Sequence, residues 1–185
     1  KDVEAYDAVL AERIGWKWNA ALDECRDRGF APANEDVVLD FGCGSGVASR
    51  RFVAYFGAGE VLMHDRSVHA MTFAAKRLAL DAPDTKARML PNIAAVSPDV
   101  LLVSHVISEL DEEGLDELVL LMQRSKRIII VEPGNRIVSR KLSKLRDQVL
   151  DSFHITAPCP HQASCPSLTD RADWCHFFAT PPPDV

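Results

Sequence analysis

The chain has 185 residues, a net charge of −6 at neutral pH, 47% hydrophobic residues and 26% charged ones, which fits one globular domain with a real core. No apolar run approaches the roughly 20 residues that span a bilayer, and an acidic chain does not grip nucleic acid over its whole surface. Because it starts at Lys1 and stops just after Pro181-Pro182-Pro183, it is expected to be a piece of a longer chain, and the lack of a targeting segment carries no weight on compartment.

Taken in order, the elements alternate. "YDAVLAERIGWKWNAALDECRDRGF" puts Val9, Leu10, Ile14, Trp18, Leu22 and Cys25 at helical spacing, with Gly29 as a stop. "DVVLDF" (36–41) is a short buried-type strand that runs into glycines, and "VASRRFVAYF" a helix. "EVLMHD" (60–65) is a second strand and "SVHAMTFAAKRLALD" a second helix of the alternation. "KARML" is a weak third strand, "DVLLVSHV" (99–106) a fourth, "EEGLDELVLLMQRS" a helix and "KRIIIVEP" (126–133) a fifth strand. "IVSRKLSKLRDQVL" (137–150) follows as a helix with Val138, Leu142, Leu145 and Val149 as its apolar stripe. Strands that are apolar at consecutive positions and separated by helices predict a parallel sheet covered on both faces. With right-handed crossovers this is a doubly wound, Rossmann-like α/β domain. The expected organisation is a helical segment over 1–35, a cofactor-binding domain over 36–156, and a Cys-rich extension over 157–185.

Between Arg124 and Arg146 stand eight basic residues against one acid, Glu132. The common reading of such a window is a solvated helix face. The sharper one is a phosphate-contacting patch, with Arg136, Arg140, Lys141 and Lys144 as candidates for RNA contact.

"LDFGCGSG" (39–46) joins the first strand to the following helix. Gly42, Gly44 and Gly46 let the backbone turn tightly and approach a ligand closely, and the helix behind them offers N–H groups to an anion. Val47 breaks the dinucleotide fingerprint, and no Lys-Ser or Lys-Thr follows to make a P-loop. Asp40 precedes the glycines, and Asp65 ends the second strand where an acid accepts from ribose hydroxyls. This set is similar to the S-adenosylmethionine site of class I methyltransferases. The resemblance implies Asp40, Gly42, Gly44 and Gly46 at the methionine end, Asp65 on the ribose, and Arg66 and Asn92 at the adenine.

The fourth strand ends in "VSHVISEL", which places Ser104 beside the same site and offers His105 as a proton acceptor, since histidine ordinarily titrates near neutrality. Glu132, in "VEPGN", is the other candidate for chemistry. A packed, inert residue is the commoner outcome for both. The Asn-or-Asp-Pro-Pro-aromatic motif of amino-methylating enzymes does not occur at the fourth strand.

Cys159, Cys165 and Cys175 crowd into "APCPHQASCPSLTDRADWCHF". A disulfide reading leaves an odd cysteine, and unpaired cysteines ordinarily hide in regular core rather than in Pro-rich coil. Thiolate–metal bonds fold such segments. The spacing fits neither a zinc ribbon nor a ferredoxin, so the metal stays open on spacing alone.

"APCPHQASCPSL" and "DWCHF", downstream of "LDFGCGSG", "SHVISEL" and "IIIVEPGN", resemble the methyltransferase-like proteins of the small ribosomal subunit, bacterial and mitochondrial, from about Tyr6 to the last residue. The resemblance implies that Cys159, Cys165 and Cys175 ligate a [4Fe–4S] cluster. It also implies that the protein docks on small-subunit rRNA, in the bacterial cytoplasm or the mitochondrial matrix. The family's fourth cysteine and its late strands are expected beyond Val185. Within the chain, a zinc ion on three cysteines with His161 or His176 is the alternative, Cys25 and Cys43 being poorly placed. An active rRNA methyltransferase and a small-molecule methyltransferase with structural zinc are the competing functions. Nothing in the sequence indicates oligomeric state.

Overall fold

The computed structural model describes residues 2–181; Lys1 and the last four residues of the expected Cys-rich extension, 182–185, lie outside the described residues. Five strands, β1 (Val37–Phe41), β2 (Glu60–His64), β3 (Lys86–Met89), β4 (Val100–Ser104) and β5 (Arg127–Val131), form one sheet in the order β3-β2-β1-β4-β5. Every neighbouring pair is parallel. The chain winds outward from β1 to β3, then crosses back to place β4 on the other side of β1. The β1/β4 boundary is therefore the switch point where open α/β sheets bind ligands.

Alternation along the strands assigns the helices to faces. Val38, Val61, Met63, Val100 and Leu102 point to a core shared with α1 (Val3–Asp27), α2 (Val47–Phe56) and α3 (Val68–Asp81). Leu39, Phe41, Leu62, Leu101 and Val103 point to the opposite core, closed by α4 (Glu112–Gln123) and α5 (Arg136–Gln148). The strands are thus apolar on both faces, which is why they read as continuous runs in the sequence.

The N-terminal helix is a layer of this same domain. Trp18 and Leu22 of α1 are fully buried, a burial that contributes roughly 1.5–3 kcal/mol per large apolar side chain. The Trp18 indole Nε1–H also donates to Ser104 Oγ at 2.9 Å, fixing α1 to the end of β4. Val9, expected on the apolar stripe of this helix, is instead 71% exposed, because the stripe that meets the sheet runs through Ile14, Trp18 and Leu22 and leaves Val9 turned outward.

Among the described residues, four of the five α-helices begin with a side-chain cap: Asp2 on Ala5, Ser67 on Ala70, Asp111 on Gly114 and Asn135 on Val138. The fifth, α2, begins at Gly46 without one. Its N-terminus is the end that faces the switch point.

Candidate cofactor site and cysteine segment

A cleft of about 940 Å³ opens at the switch point, lined by Phe41 to Ser45, Val47 and Ala48, by His64 to Ser67, and by Ser104 to Val106. Val3 and Tyr6 of α1 form one wall, and Glu109, Asp111, Glu113, Asp116 and Glu117 form another. This is the size expected of a small-molecule site. Arg66 is the one Lys or Arg that lines it among the described residues. Its guanidinium reaches Glu109 Oε2 at 3.4 Å across the mouth, in an exposed and therefore weak pair.

The three glycines of the loop do three different jobs. All have positive φ. A Cβ on Gly42 would strike Val106 Cγ2 at 2.4 Å, and one on Gly46 would strike Ala74 Cβ at 2.9 Å. Gly42 thus lets β1 pack against the β4 loop, and Gly46 lets α2 approach α3. At Gly44, with φ +51°, the nearest obstacle is the Gly42 carbonyl oxygen at 4.0 Å. The space above Gly44 is open, and it belongs to the cleft.

Asp65 stands where the sequence placed it, at the end of β2 in the cleft wall. Its Oδ2 accepts from the Gly44 amide at 3.0 Å and its Oδ1 from the Ser67 amide at 2.8 Å. The acid therefore sets the loop's shape while keeping lone pairs for a ligand.

Asp40 is placed differently from the expectation. It is fully buried beneath the loop, where Oδ2 accepts from the Ser49 hydroxyl and from the Ser49 amide at 3.3 Å. Burial pushes its carboxyl up to about 6, against the Ser49 hydrogen bonds, and its Oδ1 has no partner. It braces the start of α2 from below rather than lining the cleft. Asn92 also stays outside the cleft: it is exposed, and its Oδ1 accepts from the Ala94 amide at 2.8 Å in a local turn.

His105 lines the cleft next to Ser104, with φ +57°, a left-handed conformation uncommon for a residue with a side chain. Burial, aided by the Lys17 charge, pulls its pKa down to about 4. The imidazole is therefore neutral at neutral pH and a weak base, not one poised near neutrality as its residue type suggested. Glu132 does not line the cleft and braces the neighbouring loop through one oxygen, its Oε2 being buried without a partner. Its Oε1 accepts from the amides of Val106 and Ile107 at 2.7 and 2.9 Å, which holds the loop that carries His105. Burial raises its pKa, the two amides counteracting it.

The basic window is largely committed inside the molecule. Arg124 donates to the Ala94 carbonyl, Lys126 pairs with Asp99 at 2.5 Å and Arg127 with Asp36 at 3.0 Å. Arg136 donates to the Arg171 carbonyl. Arg140 donates to the carbonyls of Ser167, Asp170 and Asp173 at 2.8, 2.7 and 2.6 Å. Lys141 reaches the Leu110 carbonyl at 3.5 Å, while Lys144 is exposed with no hydrogen bond or ion pair among the described residues. Of the four candidates for RNA contact, Lys144 alone is left fully to solvent.

These contacts reveal a second polar face on α5 that the sequence reading missed. Ser139 Oγ donates to the Cys175 carbonyl, Arg146 to the carbonyls of His161 and Ala163, and the Asp147 carboxylate accepts from the Cys165 amide at 2.9 Å. The signal was present in the spacing: Ser139, Ser143, Arg146 and Asp147 recur at three and four residues, a stripe beside the apolar one. Carbonyls capped by arginines, rather than an apolar core, seat the cysteine segment.

Cys159, Cys165 and Cys175 are all free thiols on that segment. Burial acts against the Cys165 thiolate, but the hydroxyls of Ser167, at 3.1 Å, and Ser143 outweigh it and lower its pKa. Burial, then the charges of Cys159 and Cys165, raise that of Cys175. The donor set suits a soft metal in kind: three free thiols on one segment, with the His161 Nδ1 of the same segment buried and unpartnered. The expectation of a finished ligand set is not met, since among the described residues no three His, Cys, Asp or Glu side chains are gathered closely enough to hold an ion. The ring of His176 is stacked on Trp174 and edge-on to Phe178 instead.

Residues 5–180 match the family described as "Mitochondrial small ribosomal subunit Rsm22". The chain belongs to the Rsm22 family. It is 28% identical over 176 residues to the human "Ribosome assembly protein METTL17, mitochondrial", a match that takes in 82% of the chain and 37% of that protein. The chain thus spans little more than a third of the curated relative's length. Among solved structures, the fold is similar to a Pyrococcus horikoshii protein provisionally assigned as an RNA methyltransferase, with TM-score 0.53, 18% identity and coverage of 70% of this chain and 65% of that one. It is also similar to the magnesium protoporphyrin IX methyltransferase of Synechocystis, solved with S-adenosylhomocysteine, with TM-score 0.51, 21% identity and coverage of 65% and 57%. These likenesses establish the class I methyltransferase fold. No helix among the described residues is long and apolar enough to cross a membrane.

Proposed function

We propose that this chain is the S-adenosylmethionine-binding domain of a small-ribosomal-subunit assembly factor, in which the cofactor cleft serves binding more than turnover. The single observation that carries the cofactor is the Gly44 platform. A residue with open space above it, an α2 N-terminus behind it that its own Gly46 leaves without a side-chain cap, and Asp65 across from it form a cradle for a ligand with a carboxylate at one end and a ribose further along. Bound there, S-adenosylmethionine would supply an electrophilic methyl group, and Gly44, Asp65 and Ser104 would hold it.

Two features favour assembly over methylation of RNA. His105 is neutral and weakly basic, and Glu132 is committed to two backbone amides. The acceptor side of the cleft carries Glu109, Asp111, Glu113, Asp116 and Glu117, which repel a phosphate backbone. The names of the family and of the human relative, mitochondrial in both cases, support a place on the small subunit of that organelle.

The three cysteines are read as ligands of a [4Fe–4S] cluster, and the supporting observation is three free thiols held on one segment by α5. A bound cluster would cross-link that segment. Zinc on the same thiols with His161 is the second reading, favoured over His176 by the unpartnered His161 Nδ1. Incubation of the purified protein with tritiated S-adenosylmethionine and small subunits tests the whole account. Co-sedimentation with subunits and no label in rRNA is expected, whereas label in rRNA would make it an active methyltransferase. Failure to sediment with subunits would remove the ribosomal role.

A further inference from the structure

Ser104, at the end of β4, lines the cleft, and its backbone is fixed. It pairs with Val131 of β5, and the next amide, that of His105, donates to the Val131 carbonyl at 3.0 Å. Its side chain is held from a different layer of the fold. The indole Nε1–H of Trp18, 86 residues earlier on α1, donates to Ser104 Oγ at 2.9 Å. Trp18 is fully buried, so core packing sets the direction from which that donor arrives. An indole N–H can only donate, whereas a serine hydroxyl has one proton and two lone pairs. Trp18 therefore takes up a lone pair, and the Ser104 O–H is left without an acceptor among the described residues.

We propose that Trp18 is a positioning residue of the cofactor cleft, holding Ser104 as a hydrogen-bond donor to a lone pair of the bound ligand. This rests on the reading of the cleft as an S-adenosylmethionine site. That molecule offers acceptors in its carboxylate, its ribose hydroxyls and its adenine ring nitrogens, while its ammonium and sulfonium centres offer none. Ser104 thus meets one of the former groups and leaves the cationic centre to others. A freely turning hydroxyl would have to be ordered when the ligand arrives, and a hydroxyl already ordered by Trp18 avoids that cost. Core packing alone would be met by a phenylalanine; the hydrogen bond to a cleft residue is what the indole adds.

Calorimetric titration with S-adenosylmethionine of wild type, Trp18→Phe, Ser104→Ala and the double variant tests this, each with a thermal melt. Ser104→Ala is expected to bind on the order of tenfold more weakly and Trp18→Phe about fivefold. The double variant should stay within roughly twofold of Ser104→Ala, because Trp18 acts through the hydroxyl that is gone. A double variant weakened by the product, on the order of fiftyfold, would overturn the proposal. So would wild-type affinity in Trp18→Phe, whatever its melting temperature. Wild-type affinity in Ser104→Ala overturns it too, but leaves the cofactor reading standing; no binding by wild type refutes that reading and the proposal with it. If Trp18→Phe does not melt cooperatively, the indole N–H resonances of the three tryptophans in wild type decide. Trp16 Nε1, buried without a partner, and Trp174 Nε1, on the Gly134 carbonyl, are the internal references. A Trp18 signal that shifts with ligand in wild type and not in saturated Ser104→Ala supports the proposal, and one that shifts in both or in neither overturns it.

Discussion

The Gly44 amide donates to Asp65 Oδ2 across 3.0 Å, so the acid that ends β2 shapes the loop that ends β1. The same carboxylate holds the Ser67 amide at the start of α3. Asp65→Ala therefore leaves two amides without their acceptor and removes the expected ribose partner. Stability should fall by about 2 kcal/mol and cofactor affinity by on the order of tenfold, about 1.4 kcal/mol. Urea unfolding and calorimetric titration read the two effects separately; a change in stability alone would make Asp65 a purely structural acid.

The loop glycines should respond differently to the same substitution. Gly44→Ala meets no obstacle in the protein and costs about 1 kcal/mol for its left-handed backbone, yet its methyl group occupies the cofactor's space. Gly46→Ala drives a methyl to 2.9 Å from Ala74 Cβ in the α2–α3 contact. The expected pattern is a folded Gly44→Ala that does not bind cofactor and a markedly less stable Gly46→Ala. Thermal melts with and without ligand distinguish them, and a Gly44→Ala protein that binds like wild type would misplace the site.

Two buried groups give opposite pH dependences. His105 ordinarily titrates at 6.5 and here near 4, so between those values the unfolded chain binds the extra proton and stability is lost as pH falls from 6.5 to 4. Asp40 is raised from 3.8 to about 6, so the folded protein holds the extra proton and stability is lost as pH rises from about 4 to 6. The two slopes oppose each other in wild type. His105→Asn, whose side chain tolerates positive φ, should expose the Asp40 slope, with stability falling as pH rises through this window. Asp40→Asn should expose the opposite slope. Melting temperatures from pH 4 to pH 7 check both signs.

Arg140 and Lys144 should part company, although they sit four residues apart on α5. Arg140→Ala frees the carbonyls of Ser167, Asp170 and Asp173 and should open residues 157–177 to protease while the melt of the sheet domain hardly moves. Lys144→Glu should leave the segment protected and reduce the salt slope of RNA binding by about one. A protease pattern that is unchanged in Arg140→Ala would mean that another contact seats the segment.

The sheet and its helices were legible because burial on both faces writes itself as consecutive apolar residues, as in Val37-Val38-Leu39 and Val100 to Val103. The glycine loop and Asp65 were legible because tight turns and strand-end acids are rare enough to stand out. The roles of individual residues were not. Gly42 and Gly46 depend on what lies opposite, Val106 and Ala74, at distant points of the chain. The basic window looked like a phosphate surface because formal charge records neither that a guanidinium caps backbone carbonyls 27 to 33 residues later, as Arg140 does, nor that Lys126 has Asp99 beside it. Glu132 was visible as an acid at a strand end but not as the acceptor for two amides of a neighbouring loop.

The most direct test of the central claim is calorimetric titration of the purified chain with S-adenosylmethionine, with Gly44→Ala in parallel. A saturable one-to-one isotherm in wild type that vanishes in the folded variant is the expected result. No heat in wild type, or equal binding by both proteins, would contradict a cofactor seated on Gly44 between β1 and β4.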